Sequence, residues 1–277
     1  MGTEMKIKIR LTSISLAIAL GLLAASQAAL SGEMATNPPA AAPEEPDAAT
    51  APKLTRQTDG NALGLVITNY GFFGNNFVSR APSMEYPLGS QIDHLVRAGI
   101  WVGAINAQGD TVVSSGTVSG SYGSGSASAT EYTPSQPIKE RSTLINSRAW
   151  SKKAISEQDF NAEYRDYNPI ASTNRGKALD ISISQRSYLW SYKFAEAFVI
   201  VSFTIRNEGG YLLDTRLGIF GELASGWKAA YPTWPPSGWF RKKALGYFPD
   251  QRMISEHHYT YQGGTAPSWG AFAILGA

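Results

Sequence analysis

The most regular hydrophobic pattern in the chain lies in residues 198–206, FVIVSFTIR. Val199, Val201, Phe203 and Ile205 fall on one face, and Ser202, Thr204 and Arg206 on the other. That period of two predicts a strand with one face buried. Asn207, Glu208, Gly209 and Gly210 follow as turn residues. A second run then alternates Leu213, Thr215, Leu217 and Ile219 against Asp214, Arg216 and Gly218. Two such runs with Gly-Gly between them predict neighbouring antiparallel strands at the centre of a sheet.

Further strands are predicted at 63–68, 95–105, 111–115, 179–192, 244–248, 251–261 and 271–275. The AQGD turn at 107–110 makes a hairpin of the second and third of these. Residues 71–76, GFFGNN, read as a turn-rich segment. Residues 83–90 read as an extended loop around Pro87, which has no amide proton to give to a ladder. The Ser/Gly-dominated stretch 114–128 reads as a flexible loop. Residues 151–164, SKKAISEQDFNAEY, are the best helix candidate beyond the N-terminus. Ser151 would cap it, and Ala154, Ile155, Phe160 and Ala162 would give a ragged apolar face. A structured loop is the alternative. Pro232, Pro235 and Pro236 make 229–240 a long aromatic loop rather than a central strand.

No fixed-period repeat is present, and strands do not alternate with long helices. A doubly wound α/β fold is thereby excluded. The expected class is all-β: an antiparallel β-sandwich of two packed sheets, with long aromatic and proline-rich loops and at most one or two short helices.

The N-terminus breaks this pattern. Lys6, Lys8 and Arg10 precede an apolar run from Leu11 to Ala25, and Ser26, Gln27 and Ala28 form a small-x-small cleavage site. This predicts a secretory signal peptide over 1–28. The apolar run is roughly 15 residues, short of the ~20 that span a bilayer, and the mature chain contains no longer one. Residues 29–56, rich in Ala and Pro with Glu33, Glu44, Glu45 and Asp47, predict a disordered acidic linker. Residues 57–277 remain for the sandwich domain. Its end on a strand at Gly276-Ala277 leads to the expectation of a domain truncated at its C-terminus; a terminal strand held in the sheet is the alternative. The expected location is outside the cytoplasm: secreted, periplasmic or on the cell surface.

Composition adds two constraints. The 277 residues contain no Cys, so neither disulfides, a thiol nucleophile nor a lipoprotein anchor is available. The net charge of +2 is accounted for by the three leader cations against Glu4. The mature chain is then near neutral, which argues against nucleic acid as a partner.

Candidate chemistry is sparse. No G-x-S-x-G motif is present, and Gly120, Gly123 and Gly125 lack a P-loop Lys. His257 and His258 are adjacent and would point to opposite faces of a strand, with His94 far away in sequence. Glu157, Asp159, Glu163 and Asp166 cluster in the helix candidate. Glu163 and Asp166 would share a helix face, and Asp166 with Asn168 gives a D-x-N fragment. These three form a candidate calcium site, although the Gly and distal Glu of a full calcium loop are missing. The alternatives are solvated or loop-anchoring carboxylates, or a glycosidase-type pair. No other cofactor is expected. Trp227, Tyr231, Trp234, Trp239, Phe240 and Tyr247 crowd together with several prolines. Trp227, Tyr231, Trp234 and Trp239 are the candidate ligand-binding residues, since an exposed row of rings stacks on sugars or meets a protein. The alternative is rings that pin a long loop onto the sandwich.

MEYPLG at 84–89, WVGA at 101–104, SEQDF at 156–160, the strand within 194–207, and APS at 266–268 leading to ILG at 274–276 occur in that order. As a set they resemble a group of exported bacterial β-rich ectodomain proteins with no assigned activity, over most of 63–277. The resemblance implies export, β structure and further modules beyond this region, and it implies no reaction. In some β domains of this kind the strand matching 217–220 leads into an acidic, calcium-holding loop. Here residues 221–226 carry one carboxylate, Glu222, which argues against such a site.

The leading functional expectation is a non-catalytic exported β-sandwich module of a larger cell-surface or secreted protein, adhesive or structural. Its partners would be other domains of the same full-length chain, or a glycan or protein at the cell surface. A carbohydrate-binding module or accessory domain of a polysaccharide-degrading enzyme is the first alternative. A fragment of a secreted hydrolase with an incomplete active site is the second.

Overall fold

The computed structural model describes residues 4–12, 51–117, 130–166, 178–234, 239, 243–258 and 266–276. The apolar run at 13–25, most of the Ala/Pro-rich stretch 29–52, the glycines at 120–125 and Asn168 lie outside these residues. The fold is all-β, two antiparallel sheets packed face to face. Sixteen strands are described: β1 Glu4–Thr12, β2 Thr55–Gln57, β3 Gly64–Thr68, β4 Phe72–Gly74, β5 Met84–Glu85, β6 Ile92–Ile105, β7 Thr111–Ser115, β8 Thr133–Pro134, β9 Lys139–Arg141, β10 Gln158–Arg165, β11 Ile181–Leu189, β12 Phe198–Asn207, β13 Leu213–Trp227, β14 Lys243–Phe248, β15 Met253–His258 and β16 Gly270–Gly276. The described residues contain one further element, a single 3-10 turn at Lys228–Ala230, and no helix long and apolar enough to cross a membrane.

One sheet runs β14-β15-β16-β1-β12-β11-β10-β8, with β9 also on β10. The other runs β13-β6-β4-β3-β2, with β5 and β7 sharing the remaining edge of β6. The core lies between them. Val199, Val201, Phe203 and Ile205 are buried as their alternation predicts, and Phe203 meets Phe73 of the opposite sheet edge to face at 6.2 Å. The β6–β7 hairpin and the strands at 64–68, 181–189 and 270–276 also follow the predicted pattern.

Four expectations are corrected. First, β12 and β13 are not neighbours. β12 pairs with β11 and β1, whereas β13 pairs with β6 in the other sheet, so the chain crosses the core at Asn207–Gly210 instead of making a hairpin. Alternation marks which face of a strand is buried, and that is the same for a hairpin and for an arch between sheets. Second, the expected helix at 151–164 is a loop followed by β10. Phe160, Ala162 and Tyr164 are buried, while Asn161, Glu163 and Arg165 alternate with them in more exposed positions; the period is two, and only a window that began at Ser151 blurred it. Third, the turn-rich 71–76 contains a strand, β4, which lies between β3 and β6. Fourth, the folded domain starts before residue 57. The Leu54 amide donates to Asn69 Oδ1 at 2.7 Å, and β2 pairs with β3.

The N-terminal segment that carries Lys6, Lys8 and Arg10 is itself a strand. β1 lies antiparallel between β12 and β16 and is the link through which these two belong to one sheet.

Candidate functional site

The aromatic loop folds inward. Trp239 is fully buried and its indole N–H donates to the Ala224 carbonyl at 3.1 Å. Phe77, Tyr231 and Trp234 surround it at centroid distances of 5.3, 5.1 and 5.2 Å, with interplanar angles of 83°, 50° and 80°. Gly226 leaves the space this ring needs, since a Cβ there would stand 3.0 Å from it. Trp234 is half-buried and its N–H donates to the Phe77 carbonyl at 3.0 Å. Tyr231 is buried, and its carbonyl accepts from Arg80. Trp227 alone of the four is exposed, at 44%. A sugar platform needs coplanar, open faces. These steeply tilted rings instead fasten the described part of the loop to β13 and to the turn at Phe77, with Tyr231 and Trp239 buried and Trp234 half-buried.

The carboxylate cluster does not converge either. Asp166 is buried, and accepts from Ser114 Oγ at 2.8 Å and from the Leu179 and Ile181 amides at 2.6 and 3.0 Å. Burial raises its pKa, opposed by those same hydrogen bonds. Glu163 is exposed, and three residues apart on an extended chain places it on the opposite face. Asn168, the third proposed calcium ligand, lies outside the described residues. Asp159 is buried and accepts from the Ile155 and Ser156 amides at 2.7 and 2.8 Å, which shapes the loop before β10. Glu157 accepts from the Ser191 amide at 2.6 Å. These are anchoring carboxylates. Glu222, in the stretch compared with a calcium loop, belongs to strand β13 and pairs with Arg97 at 2.6 Å. Among the described residues, no three metal-ligating side chains come together.

A different set of groups does converge, where β6 and β13 pack against β15 and β16. Lys228 is 1% exposed; its ammonium sits 2.8 Å from Asp93 and 3.6 Å from Glu85, both buried. Asp93 also accepts from the Ser83 and Met84 amides at 2.9 and 2.7 Å. Glu256 is buried in the facing sheet, accepts from the Ser225 amide at 2.8 Å, and lies 3.4 Å from Lys243. Burial lowers the Lys243 pKa, while the Glu256 charge works against the shift. Lys243 also lies 5.6 Å above the Trp239 ring. A buried cation survives only with such partners.

Within this seam His94 is fully buried, with Nδ1 3.2 Å from the Met84 carbonyl and Nε2 2.8 Å from Ser268 Oγ. Gly270 lets the chain lie against it, a Cβ there being 3.0 Å from His94 Cβ. Burial lowers the imidazole pKa; Asp93, the Met84 carbonyl, Glu256 and the Ser268 carbonyl pull it the other way. A carbonyl only accepts, so the tautomer that donates from Nδ1 to Met84 leaves Nε2 to accept from the Ser268 hydroxyl, and the other tautomer donates from Nε2 to Ser268. The contact pairs a hydroxyl with an imidazole at hydrogen-bond distance, and the imidazole's other nitrogen faces a backbone carbonyl and no carboxylate. Ser268 is half-buried beside Trp269, which is 42% exposed and stacks on His257 at 4.5 Å.

Local sequence gives no sign of this seam. Asp93 and Lys228, or His94 and Ser268, are far apart in the chain, and only the pairing of β6 with β13 and the packing of β15 and β16 across them bring the groups together. No protein-family model, curated protein or solved structure matches the chain.

Proposed function

We propose that this chain is a non-catalytic, exported β-sandwich module of a larger cell-surface or secreted protein, with an adhesive or structural role. The observation that carries the reading is how the buried ionisable groups are used. Asp93, Asp159, Asp166 and Glu256 are spent on backbone amides and buried lysines. Groups so engaged fix loops and, at Asp166 and Glu256, tie one sheet to the other, and they are not free for substrate. The inward-turned aromatic loop supports the same reading and removes the main support for glycan stacking. Export rests on the three-part N-terminal sequence, and the likeness to exported β-rich ectodomains agrees with it.

One geometry favours a second reading, the secreted-hydrolase fragment: the Ser268–His94 contact. A single experiment separates the two. The full chain is assayed against chromogenic esters and glycosides beside S268A and H94Q. Module function predicts no turnover above background in any of the three. Ester turnover lost in both variants would replace the module reading with the hydrolase one. Export is tested independently by sequencing the N-terminus of protein recovered outside the cytoplasm; a retained Met1 would overturn it.

A further inference from the structure

The position of β1 has a consequence for any protein that loses it. In register, Met5, Ile7, Ile9 and Leu11 stand opposite Ile205, Phe203, Val201 and Val199, the four core residues of β12. On its other side, Ile9, Arg10, Leu11 and Thr12 stand opposite Ile274, Ala273, Phe272 and Ala271 of β16. β12 and β16 are not adjacent in the sheet except through this strand. Removing residues 1–28 therefore leaves two parallel rows of unpaired backbone N–H and C=O groups one strand-width apart, beside the buried apolar row of β12.

We propose that the gap between β12 and β16 is a strand-acceptor site, held by the chain's own leader strand before export and filled afterwards by an extended segment of another polypeptide. The occupant is a peptide of about nine residues with apolar side chains at alternate positions, entering antiparallel to β12. The chemistry follows from the register: every second residue stands beside Val199, Val201, Phe203 or Ile205, and main-chain hydrogen bonds to both edges are indifferent to sequence. A second copy of the exported chain is a poor donor. It has lost the same strand, and its Ala/Pro-rich 29–52 lacks both the alternation and, at each Pro, the amide proton that a central strand requires. The other strands described are already committed to their sheets. The donor is a strand of a separate protein.

This inference rests on the proposed export only in that export removes the leader; the slot can be tested without it. A protease site is placed within 29–50 of the full chain and cut, so that the N-terminal strand remains in place but is no longer tethered. Three labelled peptides are then offered in excess: residues 4–12; the same peptide with Lys6, Lys8 and Arg10 changed to Thr; and the same peptide with Ile7 and Ile9 changed to Asp. The first two should displace the native segment and bind, since both keep the alternation; the third should not. A native segment that never exchanges would make β1 a permanent strand and overturn the proposal. So would its release with none of the peptides binding. If release unfolds the protein, the uncut I7D/I9D chain provides the second measurement: its melting temperature should rise with the two alternating peptides and not with the third, and equal response to all three would also overturn the proposal. Failure of export leaves Met1 on the recovered protein, whereas failure of the slot leaves the peptides unbound, so the two are told apart.

Discussion

At the residue scale, this protein places charge in its interior and pairs it there. Lys228 is the clearest case, a 1% exposed ammonium held by two buried carboxylates. Removing the cation leaves Asp93 and Glu85 as uncompensated buried charge, which costs about 3–5 kcal/mol. K228M should therefore lower the urea midpoint by that equivalent at pH 7, although Met fills a similar volume; a loss under about 1 kcal/mol would mean that the pair is solvated in solution. His94 gives the pH dependence. Its folded pKa lies below the ordinary 6.5. Between those two values the unfolded chain binds a proton that the folded chain does not, so stability rises with pH there. The contribution is complete above 6.5 and is lost as pH falls through 6.5 toward the depressed folded value. Urea melts from pH 7.5 down to about 5 should show this loss in the native protein and a weaker slope in H94Q. An equal slope in both would assign the effect to other groups.

At the scale of elements, the long loop after β13 is fastened by its own aromatic residues. Trp239 fills the space beside Gly226, with Phe77, Tyr231 and Trp234 around it, while Trp227 projects outward from the end of β13. W239A should cost about 3–5 kcal/mol, the range for emptying a large buried aromatic site. W227A should cost about 1 kcal/mol or less, as for an exposed position. Chemical denaturation of the two variants measures the contrast, and comparable losses would mean that the loop packs differently from the arrangement described here. The same aromatic residues explain why the loop's role was only half legible in sequence. Trp and Tyr crowded among prolines signal either a packed loop or a binding row, and ring orientation, which separates the two, depends on what stands behind them.

At the scale of the whole molecule, pairing is overwhelmingly non-local. Arg10 pairs with Ala273 and Ile200, Ile92 with Trp227, and the chain crosses between sheets at Asn207–Gly210. Closing such contacts costs chain entropy before any burial is gained, so refolding of the full chain should take roughly milliseconds to seconds or longer. Stopped-flow Trp fluorescence would measure it, and refolding in microseconds would contradict this topology. The sandwich also explains one buried contact of Glu256: Ser225 on β13 and Glu256 on β15 meet only because the two sheets close over each other at that end.

Sequence by itself determined several of the longer strands and, in these, which face is buried. Alternation in Val199 to Ile205 and in Leu179 to Ile183 is local information, imposed by a side-chain period of two, and so is the turn that makes the β6–β7 hairpin. It also established the all-β class and the lack of sulfur chemistry. Tertiary structure alone decided which strands pair, that β12 and β13 belong to different sheets, that Glu163 and Asp166 point apart, and that Asp93, His94, Lys228, Glu256 and Ser268 form one seam. The reason is that pairing and convergence are set by how hydrophobic faces close on one another over long chain separations. A strand's pattern shows that it must bury a face, and it does not identify the partner that covers it.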